Sequence, residues 1–145
     1  MSHIPDIMLI PLLLLLGSAF GSFLNVVIYR VPKKMSIISP GSHCFSCKKP
    51  IRFLDNIPVI GYFLLNGRCR NCNESFPSRY AFVELITALL TICIYYIYGM
   101  GQAFFIYLAL TYLLIAITFV DIDHFIIPNG FVLIGLGILI ASLYF

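Results

Sequence analysis

Charge is what this sequence has least of. Only 10% of its 145 residues are Asp, Glu, Lys or Arg, while 61% are hydrophobic. A soluble domain of that size carries about a quarter charged residues. The shortage excludes an ordinary water-soluble globule, since the apolar residues are gathered into long runs. Lys and Arg are missing altogether from residues 1–29 and 80–145. With no basic residue ahead of it, and an apolar core longer than a signal sequence has, the first run is not a cleaved signal peptide. Nothing suggests nucleic acid as a partner, because basic residues of this kind next to a membrane normally face lipid. No internal repeat stands out.

Four stretches are apolar over the ~20 residues that a bilayer span needs: residues 7–29, 80–98, 102–120 and 125–145. The sequence therefore predicts an all-α integral membrane protein of about four transmembrane helices, with a small loop domain between the first and second. All nine Lys and Arg residues fall between those two spans, against only Asp55 and Glu74 as acids. The positive-inside rule puts that loop in the cytosol. The N-terminus, with His3 and Asp6 in a short solvated stretch, is then outside, and "YGMGQ" is an external turn. Tyr95, Tyr96 and Tyr98 read as an aromatic belt at that outer interface. The basic loop also suits contact with anionic lipid.

Four of the five cysteines lie in this loop as "CFSC" (Cys44, Cys47) and "CRNC" (Cys69, Cys72). Two C-x-x-C knuckles at that separation can give four thiolates to one tetrahedral Zn2+. Disulfides are disfavoured in a reducing cytosol, and a thiol-redox motif is usually a single C-x-x-C in a βαβ setting. A zinc site filled by four cysteines has no open position for water, so its role is structural. The roughly fifty-residue segment has few apolar residues and several turn formers, and a domain that small needs such a staple. His43 adjoins the first knuckle but is not needed as a ligand. Cys93, inside the second span, is assigned no role.

Polar residues inside the spans are the other signal. Gly17 and Gly21 stand four apart, as in small-xxx-small helix packing. Asn25, one turn on, can hydrogen-bond across that contact. Glu84 lies about a turn inside the second span and wants a partner, with Arg79 or Arg68 in snorkelling reach, unless it stays protonated. "DIDHFIIPNG" carries Asp121, Asp123 and His124 at the cytosolic end of a hairpin between spans three and four. These groups can be an acid/base pair, a metal site or a solvated turn. Two carboxylates two residues apart on one helix point to opposite sides, so they cannot share a proton as a dyad does. Asp-x-Asp-His is a thin ligand set for a hard metal. This favours one active aspartate over two.

Together, "GSFLNVVIYRVP", the two knuckles around "DNIPVIGYFLLNGRCRNC", "SRYAFVELITALL" and "DIDHFIIPN" resemble, in order and spacing over most of the chain, the bifunctional prepilin leader peptidases that also N-methylate the pilin. The resemblance implies a membrane aspartyl protease of the bacterial inner membrane. Such an enzyme cuts after the basic leader of type IV prepilins or pseudopilins, of pili and type II secretion, at the cytosolic face. It then methylates the new N-terminus with S-adenosylmethionine. By position, Asp121 is its first catalytic aspartate, seven residues before Pro128, with Asp123 and His124 supporting. Cys44, Cys47, Cys69 and Cys72 match its zinc loop. Asn25 and Glu84 are candidates for binding S-adenosylmethionine, for which no glycine-rich nucleotide loop is visible.

The organisation expected is residues 1–29 as the first span, 30–79 as the cytosolic zinc domain, and 80–145 as three spans bearing the first aspartate motif. The second catalytic aspartate of the family follows a glycine in G-x-G-D, and no residue after Asp123 matches it. The expectation is a truncated or split form whose missing half comes from a C-terminal part or a second copy. A non-catalytic, zinc-stapled adaptor for prepilin or pilus and secretion assembly proteins is the alternative; a membrane thiol-redox protein is a third.

Overall fold

The structure, a computed structural model, describes residues 6–143. His3 and the side chain of Asp6, read above as solvated, lie outside what is described. Five α-helices follow in order: α1 (Asp6–Arg30), α2 (Ile60–Leu64), α3 (Arg79–Tyr98), α4 (Gln102–His124) and α5 (Asn129–Ser142), with a 3-10 turn at Phe53–Asn56. No strand occurs among the described residues, only two isolated bridges, His43 with Pro50 and Arg68 with Ser75. The chain is all-α, as its composition requires.

Three helical stretches are long and apolar enough to cross a membrane: Met8–Arg30, Arg79–Tyr98 and Gln102–His124. The expected fourth span differs. Phe125 takes a left-handed conformation that caps α4, and Pro128 precedes α5, so residues 125–128 are a connection and not the start of a helix. From there α5 is a shorter apolar helix of 14 residues.

Helices α1 and α3 make the most extensive pairing, and glycine is the reason. A Cβ on Gly17 would sit 2.8 Å from Ala88 Cα, and one on Gly21 only 2.6 Å from Glu84 Cα. Backbones approach this closely only where a side chain is missing. The hydroxyls of Thr87 and Thr91 at this seam turn back onto the carbonyls of Val83 and Thr87, at 2.6 and 2.8 Å, so neither is left unsatisfied in apolar surroundings. Helix α4 covers one side of the pair, its Ile115, Ala116 and Val120 packing with Leu24, Val27, Ile28 and Val83. The loop after α1 covers another side. At the far end Leu13, Ile94 and Phe104 pack together, and Tyr98 stacks on Tyr107 with ring centroids 4.3 Å apart.

Candidate functional site: a cysteine cluster and the polar end of the helices

The two cysteine motifs fold the same way. In each, the first cysteine donates its N–H to a carbonyl five residues on, Cys44 to Lys49 and Cys69 to Glu74. Its own carbonyl accepts from the residue after the second cysteine, Lys48 and Asn73, and both of those have positive φ. This turn points paired thiols to one side, and the two knuckles face each other. All four sulfurs lie within 4.8 Å of one another. Cys44 and Cys72 Sγ are 3.7 Å apart, Cys47 and Cys69 Sγ 3.9 Å. A disulfide would need about 2.05 Å, whereas tetrahedral Zn–S bonds of about 2.3 Å place sulfurs about 3.8 Å apart. The four cysteines can hold a metal ion, and the spacing is compatible with Zn2+.

The thiols' acidities show the same crowding. N–H groups of Asn71 and Cys72 aimed at Cys69 lower its thiol to about 6. At Cys72 the Glu74 N–H pulls downward, but burial and the three neighbouring sulfurs win and push it up to about 12. His43 stands apart from them; its Nδ1 donates to Gly41 O at 2.8 Å. Arg70, next to Cys69, makes a two-pronged pair with Asp55 at 2.6 and 2.9 Å. Its guanidinium holds the Asp55 carboxyl below the usual carboxylate value.

Where the loop meets α1 and α3 it roofs a cavity of about 270 Å3, lined among others by Ser22, Asn25, Tyr29, Tyr62, Tyr80 and Glu84. Asn25 and Glu84, 4% and 8% exposed, thus share one pocket although they lie far apart in sequence. Asn25 Nδ2 donates to Tyr80 O at 3.0 Å, across the α1–α3 contact, while its Oδ1 is buried without a partner. Glu84 corrects an expectation: neither Arg79 nor Arg68 reaches it. The backbone N–H of Val59, in the loop, donates to Glu84 Oε2 at 2.7 Å. Val59 has φ 61 and ψ −55, a conformation a β-branched residue rarely adopts. No periodicity in the sequence signals this contact; the one signal is a carboxylate inside a span, which wants a partner.

Arg79 is committed elsewhere. It pairs with Asp123, joining the start of α3 to the end of α4, with Tyr80's ring 5.6 Å from its guanidinium. Asp121, two residues earlier on α4, is exposed, and among the described residues its carboxylate has no hydrogen bond or ion pair. His124 closes the same helix. The end of α1, the start of α3 and the end of α4 are therefore one end of the bundle, and the cysteine loop sits on it.

A helical, multi-pass membrane protein, with a cluster of four cysteines on one end that can hold a metal ion, is the class these features define. Residues 15–98 match the bacterial Peptidase A24 N-terminal domain, and the chain belongs to that family. It is similar to the prepilin leader peptidase/N-methyltransferase of Myxococcus xanthus, at 39% identity over 89% of this chain and 39% of that protein. The proteins of that description from Neisseria gonorrhoeae and Pseudomonas putida are 35% and 33% identical, over 90% and 94% of this chain and 54% and 55% of theirs. The chain spans about half the length, or less, of these curated relatives. No solved structure matches it.

Proposed function

We propose that this chain is the zinc-stapled, first-aspartate part of a prepilin leader peptidase and N-methyltransferase of the bacterial inner membrane, its loop of residues 30–79 in the cytosol. The observation that carries the reading is Asp121: a carboxylate at the end of an apolar helix, left unpaired while its neighbour Asp123 is taken by Arg79. An aspartyl protease needs one carboxylate ionised, to take a proton from the attacking water, and a second protonated, to donate to the scissile carbonyl. Asp121 supplies one. Asp123, held by its ion pair, fixes the end of α4, and His124 stands beside it. The second carboxylate comes from a further segment or a second copy. The leader's basic residues would meet a face where Asp121 is free.

Zinc in the cysteine cluster supplies folding energy to the loop, without an open coordination position. For S-adenosylmethionine, which supplies an electrophilic methyl group, the cavity's acceptors and aromatic faces fit. Asn25 Oδ1 lacks a partner, Glu84 offers a carboxylate, and Tyr29 and Tyr80 offer flat aromatic faces. Those groups suit N–H donors, a cationic centre and a flat base.

The test is cleavage of a prepilin in membranes containing this chain, with and without a chain or segment that supplies a second aspartate. Activity is expected only with the second carboxylate, and Asp121→Asn abolishes it. Cleavage that survives Asp121→Asn refutes the assignment and leaves the zinc-stapled adaptor, in which Asp121 is merely structural. The redox alternative is disfavoured by the metal-like sulfur spacing, and one zinc per purified chain would eliminate it.

A further inference from the structure

One stretch of the loop is apolar throughout. Residues 57–65, "IPVIGYFLL", carry no charge and include all of α2. Inside, Gly61 is buried so tightly against Asp55 O that a Cβ there would collide with it, and Tyr62 and Leu65 line the cavity. Outside, Ile60, Phe63 and Leu64 are 55%, 67% and 72% exposed. A water-soluble loop does not usually present three adjacent large apolar side chains.

The bond from Val59 to Glu84 fixes how deep this stretch lies. Glu84 is five residues into α3, which at 1.5 Å per residue is about 7.5 Å below the helix start at Arg79. Segments that lie along a membrane surface sink their apolar face about 5–10 Å into the headgroup and acyl boundary. α4 packs on Leu24, Val27, Ile28 and Val83, whereas the segment bonds to Glu84 and faces Ser22 and Asn25 across the cavity, so it occupies a different face of the α1–α3 pair. Leu85, next to Glu84 on α3, is itself 44% exposed on this apolar surface.

We propose that residues 57–65 are an interfacial membrane segment, tethered at depth by the Val59–Glu84 bond, with Ile60, Phe63 and Leu64 in contact with lipid. The cysteine domain is then embedded at the bilayer surface and not suspended above it, and the cavity beneath α2 opens at the interface. This inference needs only the membrane, and stands or falls apart from any peptidase activity.

The chain contains no tryptophan, so one introduced indole reports alone. Phe63→Trp, Leu64→Trp, Leu85→Trp as a depth reference and Glu74→Trp as a loop reference are reconstituted singly into phosphatidylcholine–phosphatidylglycerol vesicles. Phosphatidylcholines brominated at different acyl depths are the quenchers, with iodide for the aqueous phase. For a segment buried in the boundary region, Phe63→Trp and Leu64→Trp should match the quenching depth of Leu85→Trp and exceed Glu74→Trp about threefold. Quenching by iodide and not by bromolipid places the segment in water and overturns the proposal. Protection from both quenchers means that protein covers it, a second copy or a further segment, and overturns it equally.

Discussion

Within the contact between α1 and α3, Gly21 is where one methyl group should cost most. Its Cβ would lie 2.6 Å from Glu84 Cα and 3.1 Å from Thr87 Cβ and Oγ1, whereas carbon atoms in contact rest about 3.5–4.0 Å apart. The obstructing atom is backbone and cannot rotate away, so α1 and α3 must separate by about 1 Å at their tightest point. Overpacking costs about 1–3 kcal/mol, and against backbone that cannot yield the upper part of that range, about 2–3 kcal/mol, applies; alanine's better helix propensity returns about 1 kcal/mol of it. Gly21→Ala should therefore destabilise the bundle by about 1–2 kcal/mol. Gly137 in α5 is the internal control: nothing lies within 4 Å of its Cβ position, so Gly137→Ala keeps the propensity gain of up to about 1 kcal/mol. Unfolding in mixed micelles by dodecyl sulfate titration, followed by near-UV dichroism of the tyrosines, gives both midpoints. Opposite signs are expected. If Gly21→Ala is as stable as the parent, the close approach of α1 to α3 is wrong.

Other expectations use the same contacts. Purified chain should carry one zinc, and Cys47→Ser or Cys69→Ser should lose most of it and become protease-sensitive within residues 30–79; elemental analysis and limited proteolysis read both, and full metal content in either variant would exclude the four-sulfur site. Because Arg70 holds Asp55 below its ordinary value, this pair's stabilisation is present above about pH 3.9, the unfolded value, and is lost as pH falls through the lower folded value. Acid loss of zinc is common to the parent and Asp55→Asn, so an identical acid limb in the two would refute the pair's contribution. Arg79 and Asp123 are 27% and 24% exposed at their side chains, so a double-mutant cycle on micelle unfolding should give a coupling of about 0.5–1 kcal/mol; zero coupling would free α4's end from α3. In a complete enzyme Glu84→Gln should reduce methylation and spare cleavage, and undiminished methylation would remove Glu84 from the cofactor assignment.

What could be read from sequence was whatever depends on composition and local spacing. The apolar runs sufficed for α1, α3 and α4, because a span is specified by length and hydropathy alone. Gly17 and Gly21 announced a close helix contact, and the paired C-x-x-C motifs announced a four-sulfur cluster. The start of α5 was not legible, since Phe125 to Ile127 are as apolar as any span and only backbone conformation makes them a turn. Nor was the partner of Glu84. Sequence reasoning looked for a cation near it, and the fold answered with a backbone N–H twenty-five residues away. The loop was read as poor in apolar residues, which hid residues 57–65; their meaning depends on the depth at which the fold places them.

The carboxylates of α3 and α4 can be ordered by what each already holds. Glu84 has the Val59 N–H, and Asp123 has Arg79. Each joins two elements, so replacing either removes a structural link as well as a charge. Asp121 joins nothing among the described residues, although it is one turn from the same helix end. An exposed, unpartnered carboxylate contributes little to folding, so Asp121→Asn should leave the unfolding midpoint within about 0.5 kcal/mol of the parent. Asp123→Asn should lower it. This difference gives the peptidase proposal a clean probe: loss of cleavage in Asp121→Asn, with stability unchanged, assigns the loss to chemistry. A comparable loss of stability in Asp121→Asn would show that the residue has a structural partner and would remove the argument for its role.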